Sequence, residues 1–134
     1  MDFISNSIED TYLIADNIAK KCVGGEVFLL NGDLGAGKTT FAKGFAKSLG
    51  VDANVKSPTF TIMKSYIGRL KLYHFDMYRI ESEEELTELG FEEYFFDKDA
   101  VSLIEWNKVK DIIDKAKKIT IEYISENSRR FIVE

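Results

Sequence analysis

Val27-Phe28-Leu29-Leu30-Asn31-Gly32-Asp33-Leu34-Gly35-Ala36-Gly37-Lys38-Thr39-Thr40-Phe41 joins a short apolar run, a glycine loop and the start of an amphipathic segment. Val27 to Leu30 is continuously apolar, as expected of a strand buried on both faces of a parallel sheet. Gly32 to Thr39 spells G-x-x-x-x-G-K-T, the full phosphate-loop pattern. Phe41, Ala42, Phe45, Ala46 and Leu49 then mark the apolar face of a helix that Gly50 ends. In such a loop the glycines let successive N–H groups turn into one concavity, and the helix N-terminus adds its positive end. Lys38 supplies a charge for the β- and γ-phosphates, and the Thr39 hydroxyl can hold Mg²⁺.

Working outward, Ser7 with Asp10 three residues on reads as an acidic capping box. Ile8, Tyr12, Ala15, Ile18, Ala19 and Cys22 then share one helical face, with Gly24-Gly25 as the stop. Thr61 to Tyr66 and Leu70 to Tyr78, rich in β-branched and aromatic residues, flank Ile67-Gly68-Arg69 as a hairpin. Ser82 to Glu85 is a second capping box, opening a helix that Gly90 closes. Ala100 to Ile104 reads as another buried strand. Ile119 to Ile124 and Arg130 to Val133 form a last hairpin around Ser125 to Arg129. The expected fold is α/β, a three-layer P-loop NTPase-like arrangement with a mixed parallel and antiparallel sheet, in a single domain over residues 1–134.

Composition narrows the function. The chain is 45% hydrophobic and 31% charged, ordinary for a globular domain. Lys plus Arg number 18 against 23 Asp plus Glu, a net charge of −5, whereas a protein that coats nucleic acid needs a basic excess. One cysteine, Cys22, and one histidine, His74, argue against a disulfide framework or a Cys/His zinc site. The first twenty residues lack the apolar core of a signal peptide, and the apolar runs fall far short of the ~20 residues that span a bilayer. The expectation is a cytoplasmic protein with no membrane association.

A phosphate loop needs a second anion near the metal. Asp76, closing the alternating run Leu70 to Phe75, and Glu105, just after Ala100 to Ile104, are the candidates. Glu105 at a strand's carboxyl end can bind Mg²⁺ through water or orient an attacking water; a surface carboxylate is the alternative. Ser57-Pro58-Thr59-Phe60-Thr61 reads either as a γ-phosphate switch or as a turn into the hairpin. His74 fits a packed strand histidine better than a proton carrier, and Trp106 fits core or rim packing better than a nucleotide contact. Cys22 reads as core. Asn107-Lys108-Val109-Lys110-Asp111 is one residue too long for a guanine-reading N-K-x-D, and Asp76-Met77-Tyr78-Arg79 lacks a D-x-x-G glycine, so ATP is favoured over GTP. From Glu81 to Asp99 there are nine acids and one base, a solvated face or a dock for a basic partner, with Phe91, Tyr94, Phe95 and Phe96 packing some of it inward.

Taken in order, Gly32 to Phe41, Ser57-Pro58-Thr59-Phe60-Thr61, His74-Phe75-Asp76-Met77-Tyr78-Arg79 and Ile104-Glu105-Trp106 resemble the TsaE (YjeE-type) ATPase family, over nearly the whole chain. The resemblance implies a Mg²⁺-dependent ATPase that serves bacterial tRNA N6-threonylcarbamoyladenosine synthesis by acting on a TsaB–TsaD complex, touching tRNA only through those partners. It implies that Asp33, Leu34, Gly35, Ala36, Gly37, Lys38, Thr39 and Thr40 hold the phosphates, with Asp76 at the nucleotide and Arg129 near the base. It makes Thr39 and Glu105 the metal ligands and Lys38, Asp76 and Glu105 the catalytic set. A small-molecule kinase and a non-hydrolysing nucleotide sensor are the alternatives. A kinase usually has an Arg-bearing lid, and none of Arg69, Arg79, Arg129 and Arg130 sits in a lid-like insertion. In a sensor, Asp76 and Glu105 would be structural only.

Overall fold

The structure of the chain is a computed structural model, which describes residues 1–33, 35–52, 54–56, 62–95, 97–106 and 116–134, the side chain of Glu92 apart. Leu34, the 57–61 loop, Phe96 and the 107–111 motif lie outside the described residues. In chain order the elements are β1 (Asp2–Ser5), α1 (Ile8–Ala19), β2 (Val27–Asn31), α2 (Lys38–Ser48), β3 (Met63–Ile67), β4 (Lys71–Asp76), α3 (Glu83–Leu89), a 3₁₀ turn (Phe91–Tyr94), β5 (Ala100–Glu105), β6 (Lys117–Ser125) and β7 (Ser128–Val133). They build one seven-stranded sheet in the order β1-β7-β6-β2-β5-β4-β3. The central β6, β2, β5 and β4 run parallel, and the antiparallel strands β3 and β7-β1 close the two sides. The sheet is mixed, as the sequence implies.

Each face of the sheet carries its own core. On one face α1 and α2 cover Phe28, Leu30, Leu72, Val101, Leu103 and Phe131, with Phe41 and Phe45 inserted from α2. On the other, Leu86, Phe91, Tyr94 and Phe95 pack on Val27, Leu29, Tyr73, Phe75 and Ile104. Phe91, Tyr94 and Phe95 of the acidic segment thus turn inward, while Glu83, Glu84 and Glu88 stay exposed. This gives the three layers. It also explains β4, whose sequence alternates but whose Leu72 to Phe75 are all buried, because both of its faces are covered.

Both capping boxes form. Ser7 Oγ accepts from the Asp10 N–H at 3.0 Å, and Asp10 Oδ2 reaches back to the Asn6 N–H at 2.9 Å. Ser82 Oγ accepts from the Glu85 N–H, and Gly90 closes α3 at φ 73°. Three local expectations need correction. Helix α1 ends at Ala19, before the Gly24-Gly25 stop, because Arg69 donates to the carbonyls of Ala19 at 2.8 Å and Cys22 at 3.0 Å and so closes the last turn from across the fold. Ile8 is 59% exposed, its inward place taken by Thr11 and Ile14. The last hairpin turns on Glu126 and Asn127 alone, with β7 starting at Ser128. Among the described residues no helix is long and apolar enough to cross a membrane.

Candidate functional site

The chain leaves β2 at Asn31, and its turn closes with the Ala36 N–H donating to the Asp33 carbonyl at 3.0 Å. Gly35 and Gly37 sit at φ 80° and 109°, where a side chain is strained. Gly37 is the N-cap of α2 and, lacking a side chain, does not itself cap the first-turn N–H groups of that helix. Arg129 braces the loop from β7: its Nε donates to the Ala36 carbonyl at 2.9 Å, and its guanidinium lies 4.6 Å from the Tyr123 ring.

At the carboxyl ends of β4 and β5 a cavity of about 720 Å³ opens against this loop. Lys38, Thr39 and Thr40 form one wall, and Asp76 and Glu105 face them. The β4–β5 register sets Asp76 directly opposite Glu105, so neighbouring parallel strands bring the two carboxylates to one place. Asp76 is held by its own N–H, which donates to the Ile62 carbonyl at 2.6 Å, and its Oδ1 accepts from the Tyr78 N–H. Glu105 is 4% exposed, and its Oε2 lies 2.5 Å from His74 Nε2.

Lys38 is buried, its Nζ donating to the Gly32 carbonyl at 2.6 Å and lying 3.7 Å from the centre of the Trp106 ring. Burial lowers its pKa from the ordinary lysine value, while Glu105, Asp33 and Asp76 pull it back up. Trp106 meets Tyr78 edge-on at 5.8 Å. Among the described residues only Ile62 and Trp106 are non-glycines at positive φ, 63° and 58°, and both wall the cavity. Such backbone costs of order 1–3 kcal/mol each, so the surrounding packing holds these walls in place at a cost to stability.

Of the residues singled out in the sequence, Gly35, Gly37, Lys38, Thr39, Thr40, Asp76 and Glu105 meet in this cavity. Asp33 lines a neighbouring cleft of about 780 Å³, which shares the Tyr78–Trp106 wall. Ala36 is buried beneath the loop, which it serves through its backbone. Arg129 lines a smaller hollow of about 290 Å³ with Ser5, Thr11 and Asn127, and Gly37 and Thr40 line both this hollow and the main cavity. Tyr78, Arg79 and Ile62 were not singled out as site residues. The H-F-D-M-Y-R string pointed at the first two, and nothing local marks Ile62. Trp106, expected as core or rim, is a cavity wall.

A buried parallel strand, a glycine loop, a helix N-terminus and carboxylates at the ends of adjacent strands define an α/β protein of the P-loop NTPase-like type. The family model described as "Threonylcarbamoyl adenosine biosynthesis protein TsaE" matches residues 5–132, and the chain belongs to that family, which serves tRNA threonylcarbamoyladenosine biosynthesis. The TsaE protein of Bacillus subtilis (strain 168) is 54% identical over 99 residues, 73% of this chain and 61% of that protein's length. The TsaE protein of Treponema pallidum (strain Nichols) is 34% identical over 135 residues, covering 99% of both chains. The crystal structure of Bacillus subtilis YdiB superposes with a TM-score of 0.79 at 37% identity, over 99% of this chain and 83% of that one.

Proposed function

We propose that this chain is a Mg²⁺-dependent ATPase subunit whose turnover is controlled by a TsaB–TsaD pair in the cytoplasm, and that it meets tRNA only through those partners. The observation that carries the reading is the cavity itself, with the α2 N-terminus and Lys38 on one wall and the paired carboxylates Asp76 and Glu105 on the other. The N–H groups from Gly35 to Thr40 take the phosphates, and Lys38 moves from the Gly32 carbonyl to the β/γ oxygens. Asp33, Leu34 and Ala36 belong to the same phosphate loop. The hollow beside Arg129 is sized for the base. The acidic net charge suits a protein that leaves tRNA to its partners.

The donor set suits Mg²⁺: the Thr39 hydroxyl and the Glu105 carboxylate are hard oxygen ligands, with Asp76 close by. Among the described residues no cluster of three or more His, Cys, Asp or Glu could hold a metal alone. Mg²⁺ is commonly held by one or two protein oxygens together with substrate phosphates and water. When bound, it neutralises the charge that builds on the transferred phosphoryl group. Glu105 orients the attacking water, and Lys38 compensates the β/γ charge.

Hydrolysis by the purified protein, alone and with a matched TsaB–TsaD pair, is the direct test. Little turnover alone and clear stimulation by the pair are expected. Fast turnover indifferent to the pair would overturn partner control and favour a phosphotransferase. Lys38→Ala is expected to weaken ATP binding by about 10- to 100-fold, the worth of a charge-assisted phosphate contact, and to abolish hydrolysis. Chelating Mg²⁺ is expected to weaken nucleotide binding, since Asp76 and Glu105 then face the phosphates uncompensated. Titration followed by emission of Trp106, the single tryptophan, measures both effects.

A further inference from the structure

We propose that His74 is a positioning residue, its Nε2–H holding one oxygen of Glu105 so that the other faces the nucleotide cavity; this rests on the ATPase reading for Glu105. His74 is fully buried in the middle of β4, between Leu72 and Asp76 on the face that α2 covers. The register places it opposite Leu103 and diagonal to Glu105, and Nε2 lies 2.5 Å from Oε2. Its Nδ1 is buried and has no hydrogen-bond partner among the described residues.

The orphan nitrogen settles the tautomer. A proton on Nδ1 would leave a buried donor unmet, at a cost of about 1–3 kcal/mol, and would leave Nε2 without a proton to give to a carboxylate. The proton therefore sits on Nε2, and His74 donates to Glu105. A leucine or phenylalanine would fill this apolar row with no stranded atom, so packing alone does not explain a histidine here. What the histidine adds is a fixed carboxylate. Glu105 Oε2 is occupied, and Oε1, which has no protein partner among the described residues, is the oxygen left for the metal–nucleotide side. Metal-site and catalytic carboxylates depend on such outer partners, whose loss typically costs about 10- to 100-fold.

The chain has one histidine, so ¹⁵N-labelled imidazole gives a single unambiguous spin system. The expected spectrum of the nucleotide-free protein shows a protonated Nε2, a bare Nδ1 and a slowly exchanging Nε2–H whose shift moves in Glu105→Gln. An Nδ1–H tautomer, or an Nε2–H indifferent to Glu105→Gln, would overturn the pairing. In the partner-stimulated assay His74→Leu is expected to lower kcat about 10- to 100-fold with KM nearly unchanged. His74→Gln, whose amide N–H falls near the Nε2 position, is expected to recover most of the rate. The double variant His74→Leu/Glu105→Gln should be no slower than Glu105→Gln alone. Wild-type kcat in His74→Leu, or equal damage in the Gln and Leu variants, would reduce His74 to packing. If His74→Leu does not fold, His74→Asn, whose amide falls short of Glu105, replaces it in the comparison with His74→Gln. A wild-type protein that turns over no ATP would sink the ATPase reading. The positioning role would then stand or fall on the spectrum and on the Mg²⁺ needed to half-saturate ADP binding, which is expected to rise in His74→Leu and overturns the role if unchanged.

Discussion

Cys22 is the chain's one thiol, and its surroundings make it inert. It is 4% exposed in the core under α1, where its Sγ donates weakly to the Ile18 carbonyl at 3.5 Å. Burial, helped by the nearby Glu26 charge, pushes the thiol up to about 11. The shift disfavours the thiolate, so at pH 8 almost none of the reactive form exists in the folded protein. Reaction with a thiol-specific disulfide reagent is expected to be slow in native buffer and fast in denaturant; fast native labelling would place Cys22 at the surface. Its core position was legible, since it continues the apolar spacing of the first helix. The carboxylate partner of His74 was not. A histidine in a strand says nothing of which carboxylate lies beside it until the neighbouring strand's register is known.

At the scale of elements, the crossing of α1 and α2 depends on a missing side chain. A Cβ at Gly44 would lie 2.7 Å from Tyr12 Cδ1 and 3.1 Å from Tyr12 Cα, and the second of these is backbone that cannot swing aside. Gly44→Ala is therefore expected to destabilise by about 1–3 kcal/mol despite alanine's better helix propensity, because overpacking outweighs a gain of at most about 1 kcal/mol. Urea unfolding measures this, and a stabilised variant would show that the helices can separate without cost. The β3–β4 hairpin acts on the same pair of helices. The Arg69 N–H donates to the Leu49 carbonyl at 2.7 Å while the Arg69 side chain closes α1, so one loop ties both helix ends. Capping boxes, the Gly50 and Gly90 stops and the glycine loop are local signals and were legible. The α1 end was misread because Lys20 to Val23 has no local breaker and the closing donor arrives from Arg69, some 50 residues away. The four-residue β1 was too short to carry a pattern, and it exists because β7 offers it an edge.

For the molecule as a whole, stability should rise toward the centre of the sheet. Strands β2 and β5 are paired on both sides and covered on both faces, while β1 and β3 are the edges. Amide hydrogen exchange is expected to be slowest in Phe28 to Leu30 and Val101 to Ile104, at the global unfolding limit, and fastest in β1 and β3. Equal protection across the sheet would mean that it opens only as one unit. The amino-acid sequence by itself determined the α/β class, the glycine loop and the helix starts, because each rests on residues within a few positions of one another. It also placed Asp76 and Glu105 at strand ends. Only the tertiary structure decided that those carboxylates face one another, that His74 holds one of them, and that Ile62 and Trp106 wall the cavity at positive φ. These are contacts between β4, β5 and the phosphate loop, fixed by strand order and register. Strand order and register follow from packing both faces of one sheet at once, a condition no short stretch of the chain contains.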